Sequence, residues 1–273
     1  MRRWKKVISW LGMVAVGLVF CGCAQDSNGS TLSGSIQIGG STSVQGLAEE
    51  LAAEFMARHP GVKIDVAGGG SGAGIKGAQT GTVDIGTSSR ELQPEEKQVK
   101  EFLIAKDGIA IIVHRDNEVN DLTLDQLRKI FSGEITNWRE VGGNDAPIML
   151  VVREEGSGTR GAFEEMVLGE GETIPVEALV QNSTGAVRTA VAGNPDAIGF
   201  ISAGMINDQV KAVTIDGVAP STAAILDGSY KIARPFLFLT GEEPQGLTQV
   251  FIEFVLSPEG QRIVGESFVP VGN

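Results

Sequence analysis

The feature that most constrains this chain is a repeated unit: a short apolar strand, a loop of Gly, Ser and Thr, then a helix. Ser35-Ile36-Gln37-Ile38 reads as a strand, Gly39-Gly40-Ser41-Thr42-Ser43 as a tight loop, and Leu47, Leu51 and Phe55 as one face of a helix that His59-Pro60-Gly61 stops. Val62 to Ala67 is the next strand, and the glycine-rich run from Gly68 to Gly74 leads into a short helix. Val83 to Gly86 is a third strand, ending in Thr87-Ser88-Ser89-Arg90, and Ile109 to Val113 is a fourth, strongly apolar one.

A second block begins near Asn117. Thr123 and Gln126 have capping-box spacing ahead of Leu127, Ile130 and Phe131, and Gly133 ends that helix. Ile148 to Val152 is a strand followed by Arg153-Glu154-Glu155-Gly156-Ser157-Gly158-Thr159 and a helix carrying Phe163, Met166 and Val167. Ala197 to Ile201 and Arg234 to Leu239 read as extended, and Ser257-Pro258-Glu259 opens a last helix with Ser as N-cap and Pro at the first position. Strands alternating with helices predict an α/β chain with largely parallel sheets, which bind ligands at the carboxyl ends of their strands.

Four of those ends are Gly/Ser/Thr loops. Glycine is 37 of 273 residues, about twice the usual share of roughly 7%. A helix N-terminus presents unpaired N–H groups and partial positive charge, glycine lets a ligand touch the backbone, and hydroxyls add donors. Any one loop alone reads better as ordinary helix capping. Four together, with Arg153 at the edge of the last, point to a small tetrahedral anion.

Other chemistries fit poorly. The net charge of -12 argues against nucleic acid and against electrostatic attachment to anionic lipid. Two histidines are too few for a His-rich metal site, and His59, at a helix end, and His114, at a strand end, read as structural or solvated rather than as catalytic bases. Gly74-Ile75-Lys76-Gly77 is not a phosphate P-loop, and neither Ser71 nor Ser157 has the flanking glycines of a hydrolase elbow. No enzyme activity, cofactor or metal is expected.

The N-terminus reads as an address. Arg2, Arg3, Lys5 and Lys6 precede an apolar run from Val7 to Cys21, too short to span a bilayer, so residues 1–22 are expected to be a signal peptide. Gly22-Cys23 is similar to a bacterial lipobox, which predicts lipidation at Cys23, palmitate included, and residues 23–33 as a flexible tether.

Taken together, these motifs resemble the phosphate-binding proteins of bacterial phosphate ABC importers. The resemblance covers about residues 34–272, and its most specific stretches are Leu122-Thr123 through Trp138 and Arg153 through Thr159; Ala197 to Phe200, Arg234-Pro235 and Ser257 to Gln261 add support. It implies a two-domain, type II periplasmic-binding-protein-like α/β fold with the ligand cleft between the domains. Domain I would comprise residues 33–113 plus 235–273, and domain II residues 114–234. By position it implies phosphate donors at Thr42, Ser43, Ser71, Ser89, Arg153, Ser157, Gly158 and Thr159, with Glu155 orienting the arginine. Ser41 and Ser88 read as helix caps. Some family members carry Asp where Ser89 stands here, so selectivity for phosphate over arsenate or sulfate is left open, and a receptor for another tetrahedral oxyanion, sulfate or molybdate, is an alternative reading. The implied role is a monomeric, lipid-anchored receptor on the extracytoplasmic face of the cell membrane. It would hand inorganic phosphate to an ABC permease. A signalling lipoprotein of the same fold is a further alternative.

Overall fold

The computed structural model describes residues 32–169 and 171–272. The expected signal segment, most of the tether, and Cys23 lie outside them. In the first block, β1 (Ser33–Gly40) leads to α1 (Gln45–Arg58), β2 (Gly61–Gly68), α2 (Ser71–Thr80) and β3 (Ile85–Ser88). β1 pairs in parallel with β2 on one side and β3 on the other. The stripe Leu47, Ala48, Leu51, Ala52 and Phe55 buries α1 against this sheet. Each large side chain so buried contributes roughly 1.5–3 kcal/mol.

The chain then enters β4 (Lys100–His114), a strand of 15 residues. Only its apolar second half is legible in the sequence, because Lys100, Glu101, Lys106 and Asp107 interrupt the first half. Beyond it come β5 (Asp121–Leu122), α3 (Leu124–Phe131), β6 (Met149–Arg153) and α4 (Gly158–Phe163), which continues as a π-helical turn over Glu164–Leu168. β7 (Leu179–Gln181), α5 (Thr184–Ala192), β8 (Ala197–Ser202), β9 (Val210–Ala212), β10 (Thr214–Ile215) and α6 (Thr222–Leu226) complete the second block. The chain returns along β11 (Ala233–Thr240) and ends in α7 (Gly246–Leu256) and α8 (Pro258–Val264).

The main sheet has the order β2-β1-β3-β11-β4-β8-β6-β7, with β9 also beside β4. Its two ends serve separate cores. Ile36, Leu51, Phe55, Ile104, Phe236 and Phe251 belong to one; Ile109, Ile111, Phe131, Trp138, Phe163 and Phe200 belong to the other. The packing therefore changes hands inside β4, between Ala105 and Ile109, rather than at its end. β11 runs antiparallel beside that changeover, with Ala233 opposite Gly108 and Arg234 opposite Asp107.

In the second core Phe163 stacks on Phe200 with ring centroids 4.1 Å apart, and Phe131 meets Phe163 at 4.7 Å. Trp138 is buried and donates from its indole nitrogen to the Asp196 carbonyl at 3.0 Å. The predicted capping box of α3 is present: Gln126 N–H donates to the Thr123 hydroxyl at 3.1 Å, and Thr123 N–H donates to the Gln126 side chain at 2.9 Å. Ser257 caps α8 as expected, accepting from Gly260 N–H at 3.2 Å. His59 closes α1 with its ring against Phe55, and the His114 ring accepts from Asp116 N–H at 3.2 Å.

Candidate functional site: a cage of hydroxyls around Arg153

Five loops at carboxyl ends of parallel strands converge: those after β1, β2 and β3 from one side, and those after β6 and β7 from the other. On the first side the Ser41 hydroxyl donates to the Ser89 hydroxyl at 2.9 Å. The Ser71 hydroxyl lies 3.4 Å from that of Ser89 and accepts from Ser89 N–H at 3.1 Å. All three side chains are buried. Ser41 is thus part of the cluster, and its hydroxyl also accepts from Ser43 N–H at 3.3 Å just ahead of α1. Ser88 caps no helix; its hydroxyl donates to the Arg90 carbonyl within a turn, at 3.0 Å.

A second cluster joins the two sides. The Ser43 hydroxyl is 2.9 Å from that of Thr159 and 2.8 Å from that of Thr184. Thr42 accepts from Thr184 N–H at 3.2 Å. Gly72 N–H donates to the Gly156 carbonyl at 3.1 Å, so the loops after β2 and β6 also touch. Two glycines make this approach possible. A Cβ on Gly158 would lie 2.1 Å from the Ser71 hydroxyl and 2.9 Å from that of Ser89. A Cβ on Gly40, which has φ +140°, would lie 2.4 Å from the Thr87 carbonyl.

Arg153 ends β6 with only 2% of its surface exposed. It donates to the Thr184 hydroxyl at 3.2 Å, and its other nitrogens reach the Glu154 carboxylate at 2.8 and 2.7 Å. The expected partner, Glu155, is corrected here: it is exposed, and Glu154 orients the arginine. The i+2 spacing would suit a continuing strand, in which alternate residues share a face. The strand stops at Arg153, however, and a turn folds the Glu154 carboxylate back onto the guanidinium.

Of the other expected residues, Ser157 is buried and caps α4, accepting from Arg160 N–H at 3.3 Å; its own N–H is spent on the Glu154 carbonyl. Thr42, Ser43, Ser71, Ser89, Gly158 and Thr159 come together. Thr184 was not foreseen. Its signal was present in Asn182-Ser183-Thr184-Gly185, a fifth loop of the same kind, where Ser183 caps α5 by accepting from Ala186 N–H at 3.1 Å. The three-residue strand before it is too short to stand out.

This geometry can be set beside known proteins. Residues 26–259 match the family described as the PBP superfamily domain. The phosphate-binding protein PstS of Bacillus subtilis (strain 168) is 35% identical over 246 residues, covering 88% of this chain and 81% of that protein. The chain belongs to the PstS phosphate-binding protein family. A phosphate ABC transporter substrate-binding protein from Clostridium perfringens, solved with bound phosphate, is 46% identical; the match covers 87% of this chain and 100% of that one, with a TM-score of 0.85. An ABC-type phosphate transport receptor from Vibrio cholerae is 38% identical, covering 86% and 99% of the two chains, with a TM-score of 0.72. The fold is that of the type II periplasmic binding proteins.

Proposed function

We propose that this protein binds inorganic phosphate outside the cytoplasm and delivers it to an ABC permease for import. The observation that carries the reading is the cage itself. Buried hydroxyls from both sides of the molecule meet at a buried arginine whose carboxylate partner holds it in place. Hydrogen bonds to a charged acceptor in a desolvated site are the strong kind. A tetrahedral oxyanion supplies four acceptor oxygens at once. The PstS relatives and the phosphate-bound C. perfringens protein support phosphate as that ion.

The ligands are Ser41, Thr42, Ser43, Ser71, Ser89, Arg153, Gly158, Thr159 and Thr184. Ser157 serves by starting α4 and has its O–H left to give. Two lobes close on the ion, one from roughly residues 33–113 with 235–273 and one from 114–234, β4 and β11 forming the connection. A lipid on Cys23, left after removal of residues 1–22, holds this monomeric receptor to the membrane. A family built to capture and release its ligand needs no catalytic group, and none is assigned.

Calorimetric titration of protein stripped of anion, first with phosphate and then with sulfate, tests the reading. Micromolar or tighter phosphate binding, about −8 kcal/mol or better, with silent sulfate supports it. Equal binding of sulfate makes this a receptor for tetrahedral oxyanions at large. That second reading rests on Ser89, a hydroxyl that donates as readily as it accepts and so does not repel an ion without a proton. Folded protein that binds neither ion removes the proposal. Metabolic labelling with palmitate, abolished by Cys23→Ser, tests the anchor.

A further inference from the structure

Beside the cage lies a cavity of about 220 Å3, walled by Ser43 of the cage, Leu47 and Glu50 of α1, Arg188 of α5, Met205 and Phe268 among others. Arg188 stands four residues after Thr184, one helical turn along α5, so both project from the same face. One guanidinium nitrogen, Nη1, donates to the Met205 carbonyl at 2.7 Å. Its Nε is buried and has no hydrogen-bond partner, and it is the one such side-chain nitrogen or oxygen among the described residues. A buried N–H left unmade costs about 1–3 kcal/mol, so an orphan of this kind calls for an acceptor.

The charge arrangement points the same way. Four other arginines are paired with carboxylates: Arg153 with Glu154, Arg160 with Glu164, Arg90 with Glu96 and Arg234 with Asp107. Arg188 has no carboxylate partner among the described residues. In a chain of net charge -12, it differs in this from the four arginines just named. Such a charge in a low-dielectric recess raises the local concentration of an incoming anion and its association rate.

We propose that Arg188 makes this cavity a waiting position for the oxyanion, occupied before the ion passes Ser43 into the cage. The proposal rests on the phosphate reading above. The ion would meet the Arg188 guanidinium, which no carboxylate neutralises, first, then exchange it for the hydroxyls and Arg153. Glu50, exposed on the α1 wall, opposes this capture. Because the position is vacated once the ion is caged, it lowers the barrier in both directions and alters the rates more than the equilibrium.

The test is rapid mixing of purified protein with radiolabelled phosphate, comparing wild type, Arg188→Gln, Arg188→Lys and Glu50→Gln. At about 0.01 M ionic strength, where the screening length is near 30 Å, Arg188→Gln is expected to associate roughly five- to tenfold more slowly. Its Kd should change less than its association rate, and the difference from wild type should shrink as salt is raised. Arg188→Lys should recover most of the rate, and Glu50→Gln should associate faster than wild type. Wild-type association by Arg188→Gln at low salt overturns the proposal, as does a Kd weakened through dissociation alone. If Arg188→Gln does not fold, Glu50→Gln decides: an unchanged low-salt rate overturns the idea. Wild-type protein that binds no phosphate fails the underlying reading, and this proposal with it; normal wild-type binding with unaltered variant kinetics fails only this one.

Discussion

Arg153 and Arg234 are both buried and both held side-on by a carboxylate through Nε and Nη2, yet the surroundings give them different work. Arg234 has 1% of its side chain exposed, as has its partner Asp107, at 3.0 Å. The second oxygen of that carboxylate accepts from the Ser202 hydroxyl at 2.9 Å, and the remaining Arg234 nitrogen donates to the Ser89 carbonyl at 3.1 Å. Every strong group there is spent on the protein, across β4, β11, β8 and the loop after β3. Arg153 pairs with Glu154, which is 31% exposed, and its third nitrogen ends on a hydroxyl that other hydroxyls share. What separates a structural arginine from a binding one is where its last donor points.

The comparison can be broken from either side. Asp107→Ala should have the largest effect, about 3–5 kcal/mol of stability, because it leaves a buried guanidinium uncompensated; denaturant unfolding measures it. Burial pushes the Asp107 carboxyl up and the Arg234 guanidinium down, and each opposes the other's neutralisation, so both partners are needed. Arg153→Ala should instead spare the fold and weaken phosphate roughly a hundredfold, about 2.8 kcal/mol, read by calorimetry. An unfolded Arg153→Ala protein would erase the distinction.

Thr184→Val sharpens the contrast. It keeps the shape and removes the hydroxyl that Arg153 and Ser43 share, and should cost about tenfold in affinity, near 1.4 kcal/mol. Glu154→Gln, by the same calorimetric measurement, should weaken binding where Glu155→Gln does not. The smallest effect is expected at Arg90 and Glu96, beside the cage but partly solvated, 16% and 20% exposed. Arg90 holds the Glu96 carboxyl below its ordinary range. That stability is complete above the unfolded carboxylate value of about 4.3 and is lost as pH falls through the lower folded value. Glu96→Gln should therefore flatten the acid limb of a stability-against-pH curve while costing under about 1 kcal/mol at neutral pH.

Much of the fold was legible because it is local. The α1 stripe, the Thr123–Gln126 box and the Ser257-Pro258 start are set by side-chain spacing within one helical turn. The same holds for the stretch Leu122 to Trp138, one of the two most specific parts of the family resemblance. It builds the second core, with Phe131 and Trp138 buried, rather than the cage. The cage was legible to the extent that its loops are rich in Gly, Ser and Thr. β7 and the first half of β4 were not, one being three residues long and the other broken by charges, of which Asp107 pairs across to Arg234 of β11.

The sequence by itself determined the alternation of strands and helices, the glycines that allow backbones to approach, and the types of group that meet the ligand, since each depends on neighbours a few residues away. Only the tertiary structure decided that Glu154 rather than Glu155 faces Arg153. It alone also decided that Thr184 joins Ser43 and Thr42 across 141 and 142 positions of chain, and that Arg234 is spent on Asp107. A side chain's last hydrogen bond goes to whatever the fold brings within about 3 Å, and for these residues that partner lies on another strand or past a turn.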